Sequence, residues 1–229
     1  MPNIRKYKSE VISVANPIEG IITAEFRSLG QKYKFLPGQF LHLTLEDYDP
    51  SSQWPESRCF SMQSPPSAEN IKLTFSTAGR YTKRMEKELV VGKTLWLKLP
   101  YGEFFQVPHK KDKCVFIAGG TGITPYLSLF QDLSFTEYSK PVLYFGARSA
   151  EYNIYSEDLQ KSSEINSSFE CRYVYENIDG MLNIEKIFVE NGREATYFIS
   201  GPPALISNFK KYLLDLAVPK SNIRTDEWE

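Results

Sequence analysis

The sequence predicts two domains: an antiparallel β-barrel over residues 1–110, then an α/β domain with a parallel sheet over residues 111–229. Three observations predict this. Short period-two runs separated by turn residues fill the first half. Apolar runs alternate with helix-spaced segments in the second. The charge changes sign at the same place, net +4 before it and −5 after it, which together give the whole-chain −1.

The runs at 11–14, 21–26, 40–45, 71–75 and 95–99 alternate apolar and polar residues, as half-buried strands do. Pro37-Gly38 and Pro100-Tyr101-Gly102 punctuate them. Several such strands in a row favour a small barrel or sandwich. A helix is expected over 81–89. After the charged stretch 110–113, Cys114-Val115-Phe116-Ile117-Ala118 is continuously apolar, as for a strand buried on both faces. Helices are expected at 124–133, 155–161, 183–190 and 204–217. Strands are expected at 142–145, 169–175, 196–200 and 222–228.

Ala118-Gly119-Gly120-Thr121-Gly122-Ile123-Thr124-Pro125 lies between a strand and a helix. Glycines let a ligand approach the backbone, helix-start amides face an anion, and Pro125 suits a first helical turn. The loop is built as a pyrophosphate cradle, or is simply a tight strand-to-helix turn. It is not a Walker loop, because no Lys-Ser/Thr pair follows the last glycine. Ser200-Gly201-Pro202-Pro203 repeats the design before the longest helix. Two such turns in one parallel sheet point at one crevice and favour a dinucleotide.

Further motifs join these in order. Pro37-Gly38-Gln39-Phe40 precedes Arg58-Cys59-Phe60-Ser61-Met62-Gln63-Ser64. Gly79-Arg80-Tyr81-Thr82, Pro100-Tyr101-Gly102-Glu103-Phe104 and Gly146-Ala147-Arg148 follow. The ordered set resembles the ferredoxin–NADP reductase superfamily over nearly the whole chain. That resemblance implies a flavin-binding barrel, a nicotinamide-nucleotide domain, FAD as cofactor and NAD(P)H as substrate. It implies that Arg58, Cys59, Phe60, Ser61, Ser64, Gly79, Arg80, Tyr81 and Thr82 hold the flavin. Arg58 takes the pyrophosphate, Phe60 lies on the ring or ribityl chain, and Ser61 acts near N5. Gly119, Gly120, Thr121, Gly122, Thr124, Arg148, Gly201 and Pro202 hold the nucleotide. Ser200 stands where many relatives carry Cys, so Ser61 and Ser200 are the candidate catalytic residues. Trp228 either covers the flavin ring or caps the last strand. The residues also allow plainer roles: Arg58 as a surface ion pair, Phe60 as core and Ser61 as a turn hydroxyl.

Hydride passing from NAD(P)H to flavin and electrons onward to a separate acceptor is the activity implied. Reduction of free flavin and a non-catalytic redox-sensing subunit are the alternatives. Glu176 would repel a 2′-phosphate whereas Arg148 could accept it, and the balance leans to NADH. Arg80, Lys83, Arg84 and Lys87 recur at helical spacing. They suit an acidic ferredoxin or flavodoxin, or form a solvated face with Glu86 and Glu88.

The balanced charge argues against a general nucleic-acid binder, and no apolar run is long enough to span a bilayer. The polar start carries no signal peptide, so the cytoplasm is expected. Three cysteines and two histidines suit neither a disulfide scaffold nor a metal site, and no metal is expected. Cys59, Cys114 and Cys171 are read as small buried side chains and His42 as structural.

Overall fold

The computed structural model describes residues 3–227 as two compact units that part after Glu103. The boundary precedes the expected one because Phe104 and Phe105 belong to the second core. Phe104 stacks on Tyr126 at 5.8 Å, and Phe105 packs on Phe198 at 5.2 Å. Burying each ring contributes about 1.5–3 kcal/mol, enough to draw the segment after Glu103 onto the second unit.

The first unit is a nearly closed antiparallel sheet of six strands in the order β4-β3-β6-β1-β2-β5. These are β1 (Arg5–Ile18), β2 (Ile21–Ser28), β3 (Phe40–Thr44), β4 (Arg58–Ser61), β5 (Ile71–Ser76) and β6 (Thr94–Tyr101). β1 is far longer than its apolar run. Tyr7 and Ser9 continue the inward face ahead of Val11, while Lys6 and Lys8 point out. This length lets β1 pair with β6 through its first half and with β2 through its second. The sheet is drawn shut beyond β4: Gln63 N donates to Lys72 O at 2.9 Å, and Lys72 N donates to Ser64 Oγ at 2.6 Å. Helix α1 (Arg80–Glu88) buries Tyr81 and Met85 against the barrel core.

Gln39 explains the Pro-Gly-Gln turn. Its side chain accepts from Leu36 N at 2.7 Å and donates to Gly102 O at 2.9 Å, and its carbonyl accepts from Met62 N at 3.1 Å. One buried residue, through its side-chain amide and its carbonyl, thus ties together three of the motif segments.

The second unit is a parallel sheet in the order β11-β10-β7-β8-β9. Its strands are β7 (Cys114–Gly119), β8 (Val142–Ala147), β9 (Glu170–Tyr175), β10 (Thr196–Ser200) and β11 (Ile223–Thr225). Central β7 splits its side chains between two cores. Cys114, Phe116 and Ala118 face one, and Val115 and Ile117 face the other. Helices α2 (Thr124–Phe130) and α3 (Ser156–Ile165) supply side chains to the first core. Helices α5 (Ile184–Asn191) and α6 (Pro203–Asp215) supply the second, and the short α4 (Glu176–Asp179) follows β9 directly. The strand order reverses between β7 and β10, where open α/β sheets form a crevice beyond the strand ends. Among the described residues no helix is long and apolar enough to cross a membrane.

Candidate functional site

In the first unit the candidate residues gather at the start of β4 and of α1. Arg58 lies 5.0 Å above the Tyr81 ring, and its guanidinium reaches Glu56 Oε1 at 3.2 Å. Arg80 reaches the same carboxylate oxygen at 3.3 Å. Both arginines are exposed, so these pairs add little to stability. What they show is two guanidiniums from different elements converging on one anionic oxygen, an arrangement that also suits a phosphate. Phe60 is half-buried on the barrel core, 5.4 Å from Phe75. Ser61 is half-buried at the end of β4, opposite Phe40.

Four of the residues expected at the flavin also make contacts within the first unit. The Tyr81 hydroxyl accepts from Leu45 N and donates to Leu43 O, both at 3.0 Å, so it fastens α1 to the barrel and only its ring meets Arg58. Thr82 Oγ1 accepts from Gly79 N at 3.0 Å and stays within 3.1 Å of Gly79 O, capping the helix start. Ser64 serves the barrel closure described above. The Cys59 sulfur sits 3.6 Å from His42 Nε2, and burial raises its thiol above the usual range. Only the Thr82 contact is local, three positions along the chain. Those of Tyr81, Ser64 and Cys59 are made by strand pairing and helix docking, which bring distant groups within reach.

In the second unit the glycine turn and the turn after β10 are in direct backbone contact. A Cβ at position 122 would lie 2.6 Å from Gly201 N and 2.7 Å from the Ser200 carbonyl carbon. Gly119, Gly120, Thr121, Gly122, Ser200, Gly201 and Pro202 are therefore one cluster at the carboxyl edge of β7 and β10. The chain leaves β7 through a single 3₁₀ turn, Gly120–Ile123, before α2 begins. Thr124 is buried and its hydroxyl donates to Thr121 O at 3.0 Å, so it shapes the turn from within. Arg148 lies beyond β8, exposed and 5.4 Å over Tyr152, and its carbonyl accepts from Asn177 N at 3.2 Å. That bond brings the Glu176 turn beside Arg148. Trp228 lies outside the described residues.

Two residues escaped the sequence reading. Asp226 continues β11: its amide donates to Ile199 O at 3.0 Å, and its carboxylate accepts from Ser200 Oγ at 3.0 Å. Burial pushes the carboxyl up to about 7, with the Ser200 hydroxyl opposing. The signal was an acid inside the expected last strand, but parallel pairing with β10 was needed to place it on Ser200. Glu56 is the other, an acid two positions before Arg58. Among the described residues no group of three or more His, Cys, Asp or Glu side chains is placed to hold a metal ion.

Residues 116–211 match the family described as oxidoreductase NAD-binding domain. The chain is 24% identical, over 98% of its length, to the reductase component of propane 2-monooxygenase from Mycolicibacterium goodii, of which it covers 68%. It is 23% identical, over 93% of its length, to a flavohemoprotein from Rhizobium meliloti and spans 58% of that protein. The ferredoxin-NADP+ reductase of Plasmodium falciparum superposes with a TM-score of 0.77 at 17% identity, covering 97% of this chain and 96% of that one. At that identity the superposition speaks for the fold.

Proposed function

We propose that the chain is a member of the ferredoxin–NADP reductase superfamily and an NAD(P)H-dependent flavoprotein reductase, using FAD and serving a separate electron acceptor. One observation carries this reading: the two glycine turns that meet where the parallel sheet reverses its strand order. Such a turn pair admits a dinucleotide diphosphate close to the backbone. The first unit fits the flavin, since Arg58 and Arg80 already converge on an anionic oxygen. Bound flavin supplies the hydride acceptor and one-electron chemistry, and the protein supplies binding and orientation. In this assignment Arg58 and Arg80 take the flavin diphosphate, Phe60 borders the ring and Ser61 offers a hydroxyl near N5. Thr121 and the glycines hold the dinucleotide, and Ser200, held by Asp226, borders the nicotinamide.

A separate acceptor is supported by the likeness to a reductase that is one component of propane 2-monooxygenase. Lys83 and Lys87 are exposed on α1, while Arg80 and Arg84 are committed to carboxylates. An acidic ferredoxin or flavodoxin is the partner this surface would steer. NADH is the preferred donor in this reading, because exposed Glu176 stands beside Arg148 and opposes a 2′-phosphate. Reduction of free flavin is the second reading, favoured by the Glu56 contact to both arginines.

The test is anaerobic mixing of the FAD-loaded chain with NADH and with NADPH. Bleaching of the flavin band is expected, faster with NADH. No bleaching with either donor overturns the reading. A kcat/KM favouring NADPH by about tenfold reverses the donor assignment.

A further inference from the structure

The assignment of Arg58 and Arg80 to the flavin diphosphate has a consequence that rests on it. The two arginines come from β4 and α1 and share a single partner, Glu56 Oε1, at 3.2 and 3.3 Å. The turn that carries Glu56 is fixed by its own segment and by α1. Trp54 Nε1 donates to Ser57 Oγ at 2.9 Å, and the Tyr81 hydroxyl lies 3.4 Å from the Glu56 carbonyl oxygen. Arg58 itself donates to Ser57 O at 2.8 Å and rests on the Tyr81 ring. The turn that carries Glu56 is thus built against the same tyrosine that aims the Arg58 fork. Glu56 Oε1 sits between two guanidiniums, whose fork suits carboxylate and phosphate alike, and its charge offsets one of theirs.

We propose that Glu56 is a built-in competitor for the phosphate of the flavin, so that it sets how tightly FAD is held and how readily it leaves. A flavin phosphate must displace the carboxylate or share the arginines with it. Either way its affinity is lowered relative to a chain without that charge. The effect is confined to phosphorylated flavins, because riboflavin has nothing to offer the arginines. It is electrostatic and at the surface, so salt erases it. Low affinity and ready release suit a chain that exchanges flavin with solution. They also suit one whose loading follows the flavin supply.

The experiment is titration of the apo chain with FAD, FMN and riboflavin, followed by flavin fluorescence at low and high salt. Wild type is compared with Glu56→Gln, Glu56→Ala and Arg58→Ala. Both Glu56 variants should bind FAD about fivefold more tightly at low salt. FMN should gain in the same direction, riboflavin should not change, and the gain should shrink at high salt. The FAD dissociation rate should fall in the same variants. If Arg58→Ala loses FAD affinity while the Glu56 variants match or fall below wild type, the competitor role is overturned and the arginine assignment stands. If riboflavin tightens as much as FAD, Glu56 acts on the shape of the site, and the proposal is likewise overturned. If Arg58→Ala keeps full FAD affinity, the arginine assignment fails and the proposal fails with it.

Discussion

The two units offer ligands in opposite ways. The second presents backbone: strand ends, a 3₁₀ turn, and Gly122 packed against Gly201 with no room for a side chain between them. The first presents long side chains at its surface, each with a rival partner close by. A site made of backbone leaves its mark in the sequence, because only glycine survives the contact. A site made of arginines, serines and threonines does not, because the same residues also cap helices, close sheets and pair with carboxylates. That is why the Gly119 to Gly122 turn emerged as one cluster with Gly201, whereas Tyr81 and Ser64 are engaged by the barrel and Thr82 by the start of α1.

The sharpest way to break this contrast is at Gly122. A methyl group there meets the Gly201 backbone at 2.6 Å, and backbone cannot swing aside as a side chain would. Gly122→Ala should destabilise the second unit by about 3 kcal/mol, at the upper end of overpacking costs. It should also abolish nucleotide binding. Gly120→Ala meets open space and carries only the strain of a φ of +55°, about 1 kcal/mol. Thermal unfolding and nucleotide titration of both variants measure the difference, and equal losses would refute the close-contact account.

A second comparison separates anchor from ligand in the first unit. Tyr81→Phe removes a hydroxyl that satisfies two buried backbone groups. It should cost about 1–3 kcal/mol in stability and leave the FAD dissociation constant of the folded chain unchanged. A loss of flavin affinity without a loss of stability would return Tyr81 to the ligand set.

A third outcome depends on pH. The Asp226 carboxyl is raised from 3.8 to about 7 on folding. Between those values the folded chain binds the extra proton, so this group's contribution to stability falls as pH rises. It is lost fully above 7. Asp226→Asn keeps an oxygen acceptor for Ser200 and removes the titration. The variant should match wild type below pH 4 and unfold at a higher temperature at pH 8. A difference in melting temperature that does not change with pH would show that Asp226 is ionised in the folded chain throughout.

The smallest effect is expected on α1. Lys83→Glu with Lys87→Glu should slow reduction of an acidic carrier at low salt, with the gap closing as salt is added. Reduction of a small neutral dye should not move. Arg84 already pairs with Glu46 at 2.8 Å and Glu88 at 2.9 Å, so only part of the expected cation row is free to steer a partner. An unchanged salt slope would place the docking surface elsewhere.

By itself the sequence determined the two-part architecture, the alternating and buried strands and both glycine turns. Period-two and continuous apolar patterns are imposed by which faces must leave water, and glycine is imposed by contact distance. Tertiary structure alone decided where polar side chains spend their hydrogen bonds. Ser64 closes a barrel through a residue eight positions away, and the Tyr81 hydroxyl serves Leu43 and Leu45. Gln39 binds segments from Leu36 to Gly102. Asp226 reaches Ser200 only because β11 lies parallel to β10. Glu56 meets Arg80 across a gap of twenty-four residues. A polar side chain bonds to whichever donor or acceptor the fold brings within about 3 Å. That choice is made by strand pairing and helix docking, which bring residues far apart in the chain side by side.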